Sequence, residues 1–393
     1  MKIFKQEKQG MKVVLIGLAQ EFTEGMTYQD NLLADQLKAD GNDVVIISEC
    51  YTYQNGVVVK TCEEDRFLSN GIRLIRLKYR NILGEFVTRK VRAVKGLYDI
   101  LEKERPDIIF NHDLHSVELL TVARYKKNHP HVKLYLDCHG DFNNSATNFL
   151  SKYVLHKIFY RVIIKLALPY ADKIFNVAYE CFDFLKQLYD IPDEKMELYP
   201  LGGIVFEETV RKEKRERIRK ELGLKESDIL AVHSGKMDKL KRTEDILKAF
   251  LQVPGDRLKL VIIGSIKDDV RENFLPLISS DKRITFLGWK SGHELMEYLC
   301  ACDLYVQPGS QSATMQNALC CGSAAALYPH KSHKLLLGDS VFYVETINDM
   351  KNLFTEILKN PEILENKRAQ SNDIARRMLD YKILASRLYR GMA

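Results

Sequence analysis

Short apolar runs, each followed by a stretch with helical spacing, recur along the chain and divide it into two series. In the first, Lys12 to Gly17 ends in glycine, as buried parallel strands often do. From Tyr28 to Ala39 the residues Leu32, Leu33 and Leu37 share one helix face, and Gly41-Asn42 stops that helix before the next apolar run, Val44 to Ile47. The same grammar returns with Asp107 to Phe110, a helix from Ser116 to Lys127, and Lys133 to Asp137. It returns again with Lys173 to Val177 and the helix Tyr179 to Tyr189, after which Pro192 and Pro200 close the series. The second series runs through Ile229 to His233, Leu258 to Ile263, Ile284 to Leu287, Leu304 to Gln307 and Ala324 to Leu327, and the pattern is helical from Asp349 onward.

Strands apolar along their whole length need helices on both faces. The pattern therefore predicts an α/β chain of two doubly wound, Rossmann-like domains facing a cleft. The N-terminal domain spans 1–203 and the C-terminal one 204–375, with a last helix over 376–393 packing back toward the first domain. In such sheets ligands bind beyond the carboxyl ends of the strands, so residues that follow strands are the candidates for chemistry. Between the series, the charged stretch RKEKRERIRKELGLKES predicts a solvated helix bridging the domains, held by i,i+4 pairs.

Composition narrows the class. With 46% hydrophobic and 28% charged residues in 393, the chain is that of a folded globular protein, and a net charge of +6 is too mild for a dedicated nucleic-acid binder. The eight cysteines form no CxxC pair and read as reduced thiols. The N-terminal MKIFKQEKQG has no apolar leader core, and the most apolar helix candidate, Leu150 to Tyr170, is interrupted by Lys152, Lys157, Arg161 and Lys165. A cytoplasmic location is expected. Between Arg73 and Lys95 eight basic residues, Arg89, Lys90 and Arg92 among them, face the single acid Glu85. This segment is either a surface for anionic lipid or a lipid diphosphate, with the protein peripheral at the inner face of the membrane, or a solvated face.

The order of these blocks resembles the family 4 glycosyltransferases, retaining enzymes of the GT-B fold. Gly25, Leu37 and Gly41-Asn42-Asp43-Val44 resemble the family's glycine loop, helix and strand entry, and Ala171-Asp172, Glu180, Ile191-Pro192, Glu194-Lys195 and Pro200-Leu201-Gly202 its later run. In the second half Ser234-Gly235-Lys236 and Lys241 match its "GR, five residues, KG" element, with lysine for arginine and Arg242 for glycine. Phe286-Leu287-Gly288-Trp289 and Ala301-Cys302-Asp303-Leu304 match two further blocks.

The resemblance implies a nucleotide-diphosphate sugar, a UDP-sugar above all, as donor substrate. It implies Lys236 and Lys241 on the diphosphate, Gly264 against base or ribose, and Ser310, Ser312 and Asn317 around sugar and ribose at the start of a helix. His139 is expected to face the reacting sugar, with Gly25 and His112 on the acceptor side. No DxD motif is present, so no metal and no cofactor is expected. Without an assignable nucleophile, the implied mechanism is front-face displacement, in which the leaving diphosphate helps to deprotonate the acceptor. One segment departs from the family. Where two glutamates seven residues apart are usual, the chain reads Gln307 to Gly322, with Asn317, or Gln316 in a shifted register, for the second and no carboxylate for the first. That substitution is also what a non-catalytic partner subunit would show. A sugar-nucleotide epimerase of similar fold would instead need acid/base residues in the cleft.

Overall fold

The computed structural model describes residues 10–54, 57–390 and 392; the charged N-terminal residues 1–9, read above for a leader segment, lie outside the described residues. The chain forms two compact units. One comprises the segment up to Glu24, Gln29–Pro200 and the chain from Ala385; the other comprises Gly25–Tyr28 and Leu201–Leu384.

The first unit is built on eight strands in the order Met196–Leu198, Lys173–Asn176, Lys133–Cys138, Ile108–Asn111, Lys12–Gly17, Asp43–Glu49, Arg73–Leu77 and Glu64–Phe67. All pairs are parallel except the last, where Glu64–Phe67 runs antiparallel at the edge. Val13, opposite both Val44 and Ile108, shows why the central strands are apolar throughout: each is covered on both faces. Strand order reverses between Lys12–Gly17 and Ile108–Asn111, the place where a doubly wound sheet opens a crevice at its carboxyl edge. Sequence reasoning missed the edge strand, three of whose four residues are charged, and the hairpin Tyr51–Gln54 with Val57–Lys60, whose strands are half-buried to exposed. At the far end of the chain, Arg387 donates to the Leu198 carbonyl at 2.6 Å, and the Tyr389 hydroxyl donates to Asp40 at 2.6 Å.

The second unit has six parallel strands in the order Ile284–Phe286, Leu258–Ile266, Ile229–Met237, Leu304–Gln307, Ala324–Leu327 and Phe342–Tyr343. Its reversal lies between Ile229–Met237 and Leu304–Gln307. The charged helix, Glu208–Glu221, is no free bridge, which corrects the sequence expectation. It lies within this unit, buries Ile218, and sends its cations to other elements: Arg215 and Arg219 to Asp303 at 2.6 and 3.0 Å, Lys214 to Glu297 at 3.1 Å. An i,i+4 pattern cannot reveal acids brought in by the fold.

Candidate functional site

In the second unit, strand Ile229–Met237 outlasts its apolar run. Lys236 therefore sits inside the strand, exposed and opposite Ser265, and does not follow the strand end as expected. Gly264 is likewise interior to Leu258–Ile266. Its φ is 138°, and a Cβ there would overlap the Gly235 carbonyl oxygen, so the close approach of two backbones accounts for this glycine. The expectation of a strand-end seat for base or ribose at Gly264 is corrected accordingly.

Beyond Met237 the chain turns tightly through Lys239–Lys241, where the Asp238 carboxylate accepts from the Leu240 and Lys241 N–H groups at 3.0 and 3.1 Å. This turn folds Lys241 back, so that its Nζ comes 3.9 Å from where a Gly235 Cβ would be. Asp238 makes its ion pair with Lys267, at 3.4 Å, and no carboxylate among the described residues is ion-paired to Lys241. Burial pulls the Lys241 pKa below the ordinary lysine value, with Asp238 opposing. An ammonium in this state gains from any anion that reaches it. Arg242 adopts the left-handed φ of 56° at the position where the family carries glycine. Its guanidinium is held by Asp245 at 2.8 Å and by the carbonyls of Pro308 and Glu345 at 3.2 and 2.9 Å.

The loop after Leu304–Gln307 packs on that same turn. Gly309 has no room for a Cβ against the Leu240 carbonyl, and the Ser310 N–H donates to that carbonyl at 2.9 Å. Lys241 and Ser310 are thereby brought together from segments far apart in sequence. Ser312 occupies the N-cap position of helix Ala313–Cys320, yet its hydroxyl caps nothing; it donates to Gln307 Oε1 at 3.1 Å, while Gln307 Nε2 donates to the Ser310 carbonyl. The first-turn N–H groups consequently keep no side-chain acceptor, the arrangement that favours an anion. Of the two register choices behind them, Gln316 already accepts from the Gly202 N–H at 2.7 Å, whereas the buried Asn317 has an Oδ1 without a partner. Sequence reasoning missed Gln307, the organiser of this loop, and His330, whose Nε2 lies 3.1 Å from the Gly309 carbonyl. The signal was present for Gln307: a polar residue closing an apolar strand.

In the first unit, His112 follows Ile108–Asn111 and His139 follows Lys133–Cys138, side by side at the carboxyl edge, with ring centroids 4.3 Å apart. Asp137 joins them: its Oδ2 lies 3.0 Å from His112 Nδ1 and 3.1 Å from His139 Nε2. His112 Nδ1 is equally close, 3.0 Å, to Asp30, without the directed geometry of a hydrogen bond to either acid. Burial opposes charge on this imidazole, but Asp137 and Asp30 outweigh it and hold its pKa well above the usual histidine value. His112 is thus a buried cation balancing two acids, and half-buried His139 is the member that can face a ligand. Gly25, expected beside them, lies with Gly25–Tyr28 in the other unit, at a φ of 74°.

The basic segment does not form one surface. Arg73 pairs with Asp65 and Glu104 at 2.7 and 2.8 Å, buried Arg76 with Glu64 at 2.8 Å, and Arg89 with Glu21 at 2.8 Å. Lys90 and Arg92 instead line a groove. Among the described residues no helix is long and apolar enough to cross a membrane.

Residues 31–202 match the family model described as Glycosyltransferase Family 4, and residues 214–378 the one described as Glycosyl transferases group 1. No curated protein matches the chain. Among solved structures, Anabaena Alr3699/HepE in complex with UDP and glucose aligns over 97% of this chain and 99% of its own, at 13% identity and a TM-score of 0.67. Sucrose-phosphate synthase from Thermosynechococcus elongatus aligns over 97% and 98%, at 16% identity and a TM-score of 0.67. WaaG, a glycosyltransferase involved in lipopolysaccharide biosynthesis, aligns over 96% and 99%, at 13% identity and a TM-score of 0.64. At these identities the structural likeness speaks to the fold.

Proposed function

We infer the reaction from the premise that this chain is a glycosyltransferase of GT-B architecture, with a Glycosyltransferase Family 4 domain over residues 31–202 and a group 1 domain over 214–378. It transfers a hexose-type sugar, with retention, from a nucleotide-diphosphate donor to a glycan or lipid-linked acceptor in cell-surface polysaccharide or glycolipid synthesis. The carrying observation is Lys241, a partly buried ammonium without a carboxylate partner, in the turn against which Gly309 and Ser310 pack just before an uncapped helix start. A diphosphate answers both demands at once. The Alr3699/HepE structure with UDP and glucose supports UDP as the nucleotide.

In the reaction the acceptor oxygen bonds to the anomeric carbon, the bond from that carbon to the diphosphate oxygen breaks, and the acceptor proton passes to the leaving diphosphate. Lys241 and the free N–H groups stabilise the charge that develops there. His139, steadied by Asp137, hydrogen-bonds a hydroxyl of the transferred sugar. Thermal stabilisation and hydrolysis across a panel of nucleotide sugars test the reading; failure of every sugar nucleotide to bind would sink it. The absence of both family glutamates favours one competing reading, a partner subunit that has lost its donor site, for which no sugar nucleotide would bind and no sugar would move.

Ser310→Ala with Ser312→Ala is expected to abolish transfer, because it removes both hydroxyls from the loop before the helix start and with them the Ser312 bond to Gln307 Oε1, and Asn317→Leu to lose donor affinity. Full activity in the double variant would reduce this loop to a connector. Transfer is also expected to persist in EDTA. Among the described residues one group brings suitable donor atoms within 4.8 Å of one another, His112, Asp137 and His139, and there the charged His112 already balances the acid. Activity recovered only on adding magnesium or manganese would overturn this.

A further inference from the structure

The first unit contains a groove of about 710 Å³ beside the His139 loop. Its walls are apolar: Phe86 and Val87 from helix Glu85–Val91, and Leu150, Val154 and Phe159 from the long helix that begins at Leu150. Its floor is polar but self-satisfied. Asp113 lies 2.6 Å from His115 Nδ1, and the Tyr189 hydroxyl bridges His115 at 2.8 Å and His156 at 2.5 Å. Burial, with His115 adding to it, lowers the His156 pKa to about 3, so this ring stays neutral, and the Asp113 carboxylate is engaged by His115.

Two cations on the wall are left over. Arg92 donates to the His115 carbonyl at 2.6 Å, and the nearby acid Asp113 is committed to His115. Lys90 has no ion-pair partner among the described residues, whereas its neighbour Arg89 has Glu21. Burial, then Arg92 and Arg89, pull the Lys90 pKa below the ordinary lysine value. Two adjacent, partly sheltered cations in an apolar groove call for a group with more than one negative charge and a hydrocarbon part.

The rim extends the apolar theme outward. Leu150, Val154, Ile158, Val162 and Leu166 recur every fourth residue and are all between 47% and 64% exposed, with Phe86 and Phe149 at 75%. Singly exposed apolar residues are ordinary, but a ridge running out of a groove marks a binding surface. At the other end, the groove-lining Asn144 donates to the His139 carbonyl at 2.9 Å, and the N–H of Asp113 donates to Asp137 at 2.7 Å.

We propose that this groove holds a phosphate ester of a long hydrocarbon chain, the phosphate between Lys90 and Arg92 and the chain leaving past Leu150 and Val154 onto the exposed ridge. In the glycosyltransferase reading, on which this role rests, it is the lipid end of a lipid-diphosphate acceptor, whose two phosphate charges meet the two cations and whose sugar hydroxyl lies toward His139. The pair of sheltered cations favours a lipid phosphate drawn into the groove over a flat anionic bilayer, which cannot follow them inward.

Calorimetric titration of the full chain with farnesyl phosphate, below its critical micelle concentration, tests this against farnesol and inorganic phosphate. Farnesyl phosphate is expected to saturate one site. Lys90→Ala with Arg92→Ala, and separately Val154→Asp, are expected to weaken it by at least about tenfold, with UDP affinity unchanged as the check on folding. Farnesol and inorganic phosphate should each bind at least about tenfold more weakly than the ester, since each offers half of the chemistry. Equal binding of farnesol, an unaffected double variant, or binding confined to phosphatidylglycerol vesicles would overturn the proposal. UDP binding without farnesyl phosphate binding rejects the groove and leaves the transferase reading standing; the converse rejects donor use and leaves the groove.

Discussion

Lys241→Ala is expected to weaken UDP binding by about 1–3 kcal/mol, or roughly 5- to 150-fold, because it removes a charge-assisted bond from a partly desolvated place. Lys236 serves as the internal comparison. It is exposed within its strand, so Lys236→Ala should cost less, and the difference between the two separates a built anion site from general positive charge. Raising salt should erode the Lys236 effect and largely spare that of Lys241. Nucleotide affinity unchanged in Lys241→Ala would remove the observation on which the donor assignment rests.

The second large effect concerns stability. Glu49 ends strand Asp43–Glu49, is 2% exposed, and neither carboxylate oxygen has a hydrogen-bond partner. Burial, with the charge of Glu21 adding to it, raises its pKa from 4.5 to about 8. Between these values the folded chain holds a proton that the unfolded chain has lost, so the carboxyl costs nothing in acid and progressively more as pH rises, levelling off above about pH 8. The full cost is on the order of 3–5 kcal/mol. Glu49→Gln cannot ionise. Relative to the parent, its unfolding free energy in urea should climb from pH 5 to pH 9 by that order. A difference flat across the range would show that Glu49 is ionised throughout.

The parts of this protein legible in sequence were those in which neighbouring residues share one environment. Lys12–Gly17, Leu304–Gln307 and Ala324–Leu327 are apolar because both faces are covered, and their bounds follow from that run alone. His112 and His139 were found because they stand immediately after such runs. What escaped were features set by partners far along the chain. Helix Glu208–Glu221 looked solvated because Glu297 and Asp303 are brought to it only by folding. Arg73 and Arg76 looked like part of a membrane-facing cluster for the same reason, their acids lying on the edge strand and at Glu104. Gly264 looked like a strand-end seat for a ligand because nothing local announces that Gly235 lies against it. The unpaired state of Lys241, Lys90 and Arg92, on which both functional readings depend, is a property of what does not surround them, and a linear pattern carries no trace of it.

The contact of Gly235 with Gly264, and of Gly309 with the Leu240 carbonyl, also divides the second unit into two classes of position with different freedom to change. At Gly264 and Gly309 backbone packs on backbone and admits no Cβ, while Ser310 and Ser312 hang on that frame as side chains. Variants at 310 and 312 should therefore stay folded whatever they do to activity, whereas Gly264→Ala and Gly309→Ala should lose folded protein, a contrast that thermal unfolding reads. A frame of that kind lets the side chains of this loop change without unfolding the unit that carries them.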